Sequence, residues 1–391
     1  MLLCSGLLGS VERYELFSSF CASHGLMRVK ESSSPSGGTP VEVLEQFSST
    51  YPGCAAVPIG EGNINDTFLV TSSSGKFILQ RISAAVFKEP LHVITNFRKI
   101  SEYLGRRTGQ IAPEWQFARP VCTDNGDLFY KDGTGDFWRA QTYLPHKEDA
   151  PAGGFAQFRN IGQALGLFHL LMSDMDEKNL HDPLPSFHIL PSYLEQFDLA
   201  CINKECFGRY VDYCFEIIQQ YRGRAGSLER AKKEGVLAVQ PVHGDPKIDN
   251  FIFNEAGSCV GLIDMDTVGS GLIQTDLGDC LRSCCNRNGE GASGGNEIQF
   301  DMGICRDILD GYFQRAAVLF SPLQRRYIFD GLLLVTFELG LRFFTDYLLG
   351  NRYFKIKAAD DNLTRAITQF RLVEEIEKYE LEIRAAAEPK A

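Results

Sequence analysis

Short alternating runs of apolar and polar residues predict a β-rich region between residues 55 and 143. The runs are separated by Gly, Asn and Asp, which favour turns between strands. One stretch departs from this pattern, because the apolar spacing from Val93 to Leu104 is that of a helix packed on one face. The predicted strands are Ala55–Ile59, Thr67–Thr71, Lys76–Ile82, Gln116–Pro120, Asp127–Tyr130 and Asp136–Tyr143.

Beyond residue 151 the spacing of apolar residues is mostly helical. One β-rich island, residues 236–267, has the pattern of a strand, an irregular loop and a hairpin. The pattern therefore predicts an α+β fold, with a β-rich lobe over residues 41–143, a larger helical lobe over residues 144–391, and a flexible Ser- and Gly-rich extension over residues 1–40. The predicted helices, one of them ahead of the strands, are Val41–Ser48, Phe155–Met172, Ser192–Cys206, Arg209–Tyr221, Phe300–Phe320, Leu323–Leu348 and Leu363–Ala385.

Composition and charge narrow the class of protein. Fifty acidic against 39 basic residues give a net charge of -11, which argues against nonspecific binding to nucleic acid or to anionic membranes. The most apolar stretch, residues 331–349, contains charged residues and is a poor membrane span. The cysteines include no C-x-x-C pair, so we expect buried reduced thiols and no zinc site. We expect a cytoplasmic protein, monomeric or weakly dimeric, that acts on a small molecule.

The β-rich island carries residues suited to phosphoryl transfer. Such a reaction needs a carboxylate to take the proton of the attacking hydroxyl and oxygen ligands to hold Mg²⁺ against the phosphates. In the run His243-Gly244-Asp245-Pro246-Lys247-Ile248-Asp249-Asn250, Asp245 is the predicted base and Lys247 is placed to reach the transferring phosphoryl oxygens. Asn250 and Asp264, which ends the next apolar strand, are the predicted metal ligands. Any one of these residues alone is more often a turn residue, but the joint spacing favours chemistry.

Candidate nucleotide-binding residues precede this island. Two glycines lie between predicted strands, where the absence of a side chain lets backbone N–H groups approach a phosphate. In the strand Lys76–Ile82, the position where a kinase carries its phosphate-pairing lysine holds a glutamine, which can bind a phosphate but cannot neutralise it. The candidates for nucleotide contact are Gly60, Gly62, Asn65, Gln80, Gln141 and Tyr143.

Three charged residues mark an otherwise apolar predicted helix near the C terminus. Glu338, Arg342 and Asp346 recur every four residues and therefore lie along one side of the helix. One interpretation is a salt-bridge ladder on an exposed face. The other is a stripe facing a cleft, in which Arg342 binds hydroxyl groups of a substrate. The sequence leaves both interpretations open.

The motif residues resemble those of the aminoglycoside phosphotransferase and choline kinase-like superfamily. The resemblance rests on His243-Gly244-Asp245 through Asn250 and on Asp264, and it extends from about Pro58 to Glu377. The C-terminal run, with Leu341-Arg342-Phe343 and Tyr353-Phe354, is similar to that of superfamily members acting on N-acetylhexosamines. The resemblance implies a two-lobed protein-kinase-like fold that binds ATP and Mg²⁺ between its lobes.

The resemblance also implies a reaction and the roles of several residues. The γ-phosphoryl group of ATP would be transferred to the anomeric hydroxyl of N-acetylglucosamine or N-acetylgalactosamine. Asp245 would be the catalytic base, and Asn250 and Asp264 the metal ligands. The residues expected to contact the sugar are Asn63, Asp245, Arg342 and Tyr353.

Two positions bear on the alternatives. The resembling proteins also lack a lysine at the position of Gln80, so a pseudokinase-like binding module is disfavoured. They carry an aromatic residue where this chain has Ser283, a difference expected to enlarge or reshape the sugar pocket. A kinase for another hydroxylated metabolite, such as an aminoglycoside or an amino alcohol, remains an alternative.

Overall fold

A computed structural model describes residues 41–59, 64–111, 114–145, 155–202, 208–287, 289 and 298–389 of the chain. Over these residues a β-sheet region is followed by a mostly helical one, which confirms the predicted α+β class. The extension over residues 1–40 lies outside the described residues. The boundary placed between residues 143 and 144 stays a prediction.

The N-terminal region is built on a six-stranded antiparallel sheet with the order β1-β2-β3-β6-β4, in which β5 also pairs with β6. Apolar side chains of one face, among them Phe77 and Trp138, pack on Val43 of the short first helix and on Phe47, which follows it. The elements are α1 (Val41–Glu45), β1 (Ala55–Pro58), β2 (Asp66–Ser72), β3 (Gly75–Ile82), α2 (Pro90–Ile111), β4 (Pro120–Val121), β5 (Tyr130–Lys131) and β6 (Phe137–Thr142).

The predicted strand Gln116–Pro120 is wrong over most of its length. Only Pro120 pairs within the sheet, while Gln116 forms a parallel bridge to Gly261 in the helical region. A Cβ atom at Gly261 would lie 2.1 Å from the carbonyl oxygen of Gln116, so this crossing requires glycine. The segment therefore connects the two regions and does not extend the sheet.

The helical region contains two short two-stranded sheets and most of the helices. Its strands are β7 (Gln240–Val242), β8 (Phe251–Phe253), β9 (Cys259–Leu262) and β10 (Gly269–Gly271), with β7 paired to β10 and β8 to β9. Its helices are α3 (Phe155–Met172), α4 (Leu190–Ala200), α5 (Arg209–Tyr221), α6 (Ser227–Lys233), α7 (Ile273–Cys285), α8 (Met302–Ala316), α9 (Pro322–Arg325), α10 (Tyr327–Leu348), α11 (Asp361–Lys378) and α12 (Glu380–Ala387).

Two of these helices, α6 and α7, are absent from the prediction. Almost every residue of α7 is buried, including Asp276, Asp279 and Arg282. A helix buried on all sides shows no alternation of apolar and polar faces. The sequence of α7 therefore lacks the periodic pattern from which a helix is predicted. The predicted helix Leu323–Leu348 is divided at Arg326.

One large apolar core fills the helical region, and α3 and α8 pack closely at its centre. None of the described helices is long and apolar enough to cross a membrane. The nine cysteines among the described residues are free thiols, and five of them, Cys214, Cys280, Cys284, Cys285 and Cys305, are buried.

Candidate active site

The backbone of the loop between β7 and β8 is hydrogen-bonded to a buried carboxylate. Asp276, on α7, accepts hydrogen bonds from the backbone N–H groups of His243 (2.6 Å) and Gly244 (2.7 Å), and it contacts His169 at 2.9 Å. Burial alone would raise the pKa of Asp276, but these partners outweigh it and the pKa lies below its ordinary value. Gly244 has φ +85°, and a Cβ there would lie 2.8 Å from the carbonyl oxygen of Thr267. The loop is therefore fixed in both position and conformation.

Asp245 follows this anchored glycine and faces the cavity described below. The Nζ atom of Lys247 donates to Asp245 Oδ2 at 2.8 Å. Asn250 donates from Nδ2 to the carbonyl oxygen of Asp245 at 2.7 Å and approaches Oδ2 at 3.4 Å. Three of the predicted catalytic and metal-binding residues are thus in contact, and the carboxylate is held through one of its two oxygens.

Asp264 lies at the end of β9 in a left-handed conformation, with φ 65° and ψ 61°. This conformation is uncommon for a residue with a side chain and is often found where function demands it. Burial, together with the charges of Asp266 and Asp245, raises the pKa of Asp264 to about 7. A carboxylate with these surroundings is suited to a cation.

The donor set fits Mg²⁺ only in part. Asp264 supplies carboxylate oxygens, and the amide of Asn250 is turned so that its nitrogen binds Asp245, which leaves its oxygen for a metal. The described residues contain no group of three or more His, Cys, Asp or Glu that would hold a metal ion. Mg²⁺ commonly binds one or two protein carboxylates and takes its other ligands from phosphates and water, so these residues fit a nucleotide-bound metal.

A buried arginine lies beside the position that lacks a lysine. Arg139 on β6 is the register partner of Gln80 on β3, and antiparallel partners project to the same face. Gln80 Oε1 accepts from Arg139 Nη2 at 2.7 Å and from Nε at 3.2 Å. The same guanidinium pairs with Asp266 and lies over the ring of Phe97, 4.8 Å from its centroid. Gln80 is therefore accompanied by a cation on the neighbouring strand.

The network continues to residues that follow the predicted glycine loop and to the end of β3. Asn65 donates from Nδ2 to Asp266 Oδ2 at 2.6 Å and accepts at Oδ1 from the backbone N–H of Ser83 at 2.9 Å. Thr67 Oγ1 accepts from Gln80 Nε2 at 3.2 Å. The sheet and the loop after Asp264 are thereby joined by hydrogen bonds.

The side of the site around Arg342, where the acceptor is expected, is formed by α10, α4 and two loops. The guanidinium of Arg342 lies between the rings of Phe187, Tyr193, Tyr353 and Phe354, at 5.2 to 5.8 Å from their centroids. These distances are those of cation–π contacts. Such contacts hold the guanidinium through its charge, and Tyr353 is also its hydrogen-bonding partner.

The stripe on α10 does not form an exposed salt-bridge ladder, because Glu338 and Asp346 are buried. Glu338 contacts His188 at 3.1 Å. Asp346 accepts from the backbone N–H groups of Arg352 (2.7 Å) and Tyr353 (2.9 Å), which fixes the loop that carries Tyr353. The interpretation as an exposed ladder is therefore wrong. Glu338 and Arg342 line the cavity described below and Asp346 does not, and binding of substrate hydroxyls by Arg342 stays a prediction.

One cavity of about 180 Å³ brings many of the predicted residues together. It lies between the sheet and the helical region and is closed at its acceptor end by aromatic rings. The predicted residues that line it are Asn65, Gln80, Asp245, Lys247, Asp264, Arg342 and Tyr353. Its mixture of apolar and convergent polar groups is typical of a site for a small ligand.

Other predicted residues are placed elsewhere. Gln141 is buried in β6 and Tyr143 lies beside Lys76, and neither is among the residues that line the cavity. Ser283 also lies outside the lining, and its hydroxyl instead accepts from the backbone N–H of Ile248 at 3.1 Å. Its observed contact is therefore with the loop that follows Lys247, and the expectation that Ser283 enlarges or reshapes the sugar pocket stays a prediction. Gly60, Gly62 and Asn63 lie outside the described residues.

Several residues of the site were missed by the sequence analysis. Arg139 and His188 belong to no short motif, and their partners are far away in the chain. Asp266 lies two residues after Asp264 but was given no role, because its partner Arg139 is 127 positions away. Asp279, whose Oδ1 accepts from Arg282 Nε at 2.8 Å, lines the cavity from α7. The proximity of Asp279 and Arg282 to the loop of Asp245 would have followed from recognising α7 as a buried helix.

The fold and the site together define a kinase-like phosphotransferase that acts on hydroxylated small molecules. An aminoglycoside phosphotransferase from Alicyclobacillus acidocaldarius matches with a TM-score of 0.62 at 16% identity, over 91% of this chain and 98% of that one. A microcompartment-associated aminopropanol kinase matches with a TM-score of 0.61 at 13% identity, over 87% and 98%. An ethanolamine kinase from Plasmodium vivax gives 0.55 at 14%, over 95% and 96%. At these identities the likeness shows the fold.

A match of the sequence to a protein family supports the same assignment. The profile of the phosphotransferase enzyme family matches residues 55–307, which include both the sheet and the catalytic loop. The protein belongs to this family.

Proposed function

We propose that the protein is an N-acetylhexosamine 1-kinase, which transfers the γ-phosphoryl group of ATP to the anomeric hydroxyl of N-acetylglucosamine or N-acetylgalactosamine. The observation that carries the proposal is the charge balance of the described cavity lining. With the exception of Asp264, which we assign to the metal, each carboxylate contacts a basic side chain. The pairs are Asp245 with Lys247, Asp266 with Arg139, Asp279 with Arg282, and Glu338 with His188.

This balance favours a neutral acceptor over a cationic one. A pocket for an aminoglycoside or an amino alcohol needs carboxylates that are left over for an ammonium group, since a buried cation requires a counter-charge. Here the acceptor side adds Arg342, a further cation, among aromatic rings. Hydroxyl and carbonyl oxygens can accept from its guanidinium while the apolar face of a sugar packs on Tyr353 or Phe354.

The proposed chemistry assigns a role to each residue of the catalytic loop. Oδ2 of Asp245 is held by Lys247, so Oδ1 is the oxygen that accepts the proton of the anomeric hydroxyl. The acceptor oxygen then forms its bond to the γ-phosphorus as the bond to ADP breaks. Asn250 and Asp264 would hold Mg²⁺, which supplies positive charge to the phosphates. Lys247 is close enough to the base to interact with the transferring group as well.

The first test combines one substitution with a panel of acceptors. Asp245→Asn keeps the shape of the side chain but removes the base, and we expect kcat to fall by about 100-fold or more. ADP release with MgATP is measured against N-acetylglucosamine, N-acetylgalactosamine, glucose, galactose, ethanolamine and kanamycin. Phosphorus NMR of the product then shows which oxygen carries the phosphate.

Each result has a defined meaning. A 1-phosphate formed from an N-acetylhexosamine supports the proposal. Activity confined to ethanolamine or kanamycin would contradict the argument from charge balance while leaving phosphotransfer intact. An Asp245→Asn variant that keeps near wild-type turnover would remove Asp245 from the role of base.

We also expect a monomer or weak homodimer, which sedimentation velocity measures.

A further inference from the structure

His188 connects the acceptor wall to the catalytic loop. Its Nδ1 lies 3.1 Å from Oε1 of Glu338 on α10, and its Nε2 lies 2.9 Å from the carbonyl oxygen of Gly244. Gly244 directly precedes Asp245, the predicted base. A single side chain thus touches both the helix that carries Arg342 and the residue that sets the position of the base.

The geometry defines the protonation state of this ring. A carbonyl oxygen only accepts hydrogen bonds, and an ionised carboxylate does the same. Both contacts are therefore hydrogen bonds only when both ring nitrogens carry a proton, which is the imidazolium form. A neutral ring has one N–H and must give up one of the two links.

The segment that contains His188 has an uncommon backbone conformation. Ser186 and His188 have φ of 67° and 57°, in the left-handed region that residues with side chains seldom occupy. Such conformations persist where the surrounding structure holds them. Between them, Phe187 places its ring 5.3 Å from the guanidinium of Arg342, and the same ring is 3.9 Å from that of His188. Two consecutive residues, Phe187 and His188, thus contact the acceptor wall, and His188 also contacts the catalytic loop.

We propose that the imidazolium of His188 is a positioning residue that holds the carbonyl of Gly244, and with it Asp245, in register with the acceptor wall on α10. This inference rests on the phosphotransfer function proposed above but not on the identity of the acceptor. Loss of one proton releases one of the two links and leaves the base free to shift. Turnover therefore falls as the pH rises through the pKa of His188.

The charges around the ring set that pKa. Burial would lower it, but the charge and hydrogen bond of Glu338, the carbonyl of Gly244 and the charge of Asp279 outweigh burial and raise the pKa of His188 to about 9. The imidazolium is thus present at neutral pH and is lost as the pH rises through about 9. The other charged groups that line the cavities on either side of the ring are Asp245, Lys247, Asp264, Asp266, Arg282, Arg342 and Glu229.

The test follows the pH dependence of turnover in three variants. In the wild type, kcat should decline on the alkaline side with a midpoint near pH 9. Glu338→Gln keeps an oxygen that can accept from Nδ1 but removes the charge, so the midpoint should move at least about one unit towards neutral pH. His188→Gln should lower kcat by about tenfold on the plateau below the wild-type decline and abolish the decline itself. His181→Gln, at a histidine stacked on His92, should leave the profile unchanged.

A second readout does not depend on any acceptor. With carbon-13 at the ring Cε1 of histidine, the NMR resonance that is absent from His188→Gln should titrate near pH 9 in the wild type and at a lower pH in Glu338→Gln. This result stands even if N-acetylhexosamines prove not to be substrates, so failure of the proposed function is distinguishable. Titration of His188 near its ordinary pKa, or an alkaline decline that neither variant moves, would overturn the inference and leave His188 as a packing residue.

Discussion

An arginine lies near each end of the cavity, and the two guanidinium groups differ in what they contact. At the nucleotide end, Arg139 is buried and its guanidinium is occupied by Gln80 and Asp266. At the acceptor end, Arg342 lies among ring faces, with Tyr353 as its hydrogen-bonding neighbour. Ring faces attract a cation without using its N–H donors one by one. Arg139 is therefore an internal counter-ion, whereas the role that we propose for Arg342 is that of a donor to the acceptor substrate.

This difference bears on the missing lysine of β3. In kinases, the lysine of that strand forms an ion pair with the phosphates of ATP directly. Here Gln80 faces Arg139, which already neutralises Asp266. The positive charge therefore lies on the neighbouring strand, β6, instead of on β3. It forms an ion pair with the loop that carries Asp264. Substitutions at the two arginines should therefore give different kinds of defect.

The largest effect is expected from Arg139→Gln. This change leaves Asp266 as a buried charge without its counter-ion, so the free energy of unfolding should fall by about 3–5 kcal/mol. Urea denaturation, followed by fluorescence, measures the loss. The matched control is the double variant Arg139→Gln/Asp266→Asn, which removes both charges and should recover part of the stability. A single variant as stable as the double would show that the pair is not coupled.

Arg342→Ala should act on binding instead of folding. Removal of charged hydrogen bonds to the acceptor is expected to raise the acceptor KM by roughly 10- to 100-fold. The KM for ATP should change little, since Arg342 lies at the other end of the cavity. Initial rates with each substrate varied in turn provide the measurement, and Arg342→Lys serves as the control that keeps the charge but loses the fork of donors. Equal changes in both KM values would assign Arg342 a structural role.

The same contrast explains how much of the site could be predicted from the sequence. Asp245, Lys247 and Asn250 belong to one short loop, so their spacing alone indicates that they lie together. His188 and Arg139 contact partners that are 150 and 127 positions away, and no local pattern marks such pairs. The helix α7 was missed because its polar residues are buried, which removes the periodic signal that revealed α3 and α5. The α+β class needed only the periodicity, which is why it could be predicted.

The smallest effect concerns the orientation of Gln80. Its Oε1 accepts from Arg139, and its Nε2 donates to Thr67 Oγ1 at 3.2 Å. Thr67→Val keeps the shape of the side chain and removes this acceptor, so the free energy of unfolding should fall by about 1 kcal/mol. A less firmly held amide should raise the KM for ATP by about twofold to threefold, a fraction of the effect that 1 kcal/mol allows, and leave the acceptor KM unchanged. Denaturation and initial rates measure both, with Thr67→Ser as the control that retains the hydroxyl. If the acceptor KM rose as much as that for ATP, the two ends of the cavity would not be independent, and the distinction between the two arginines would fail.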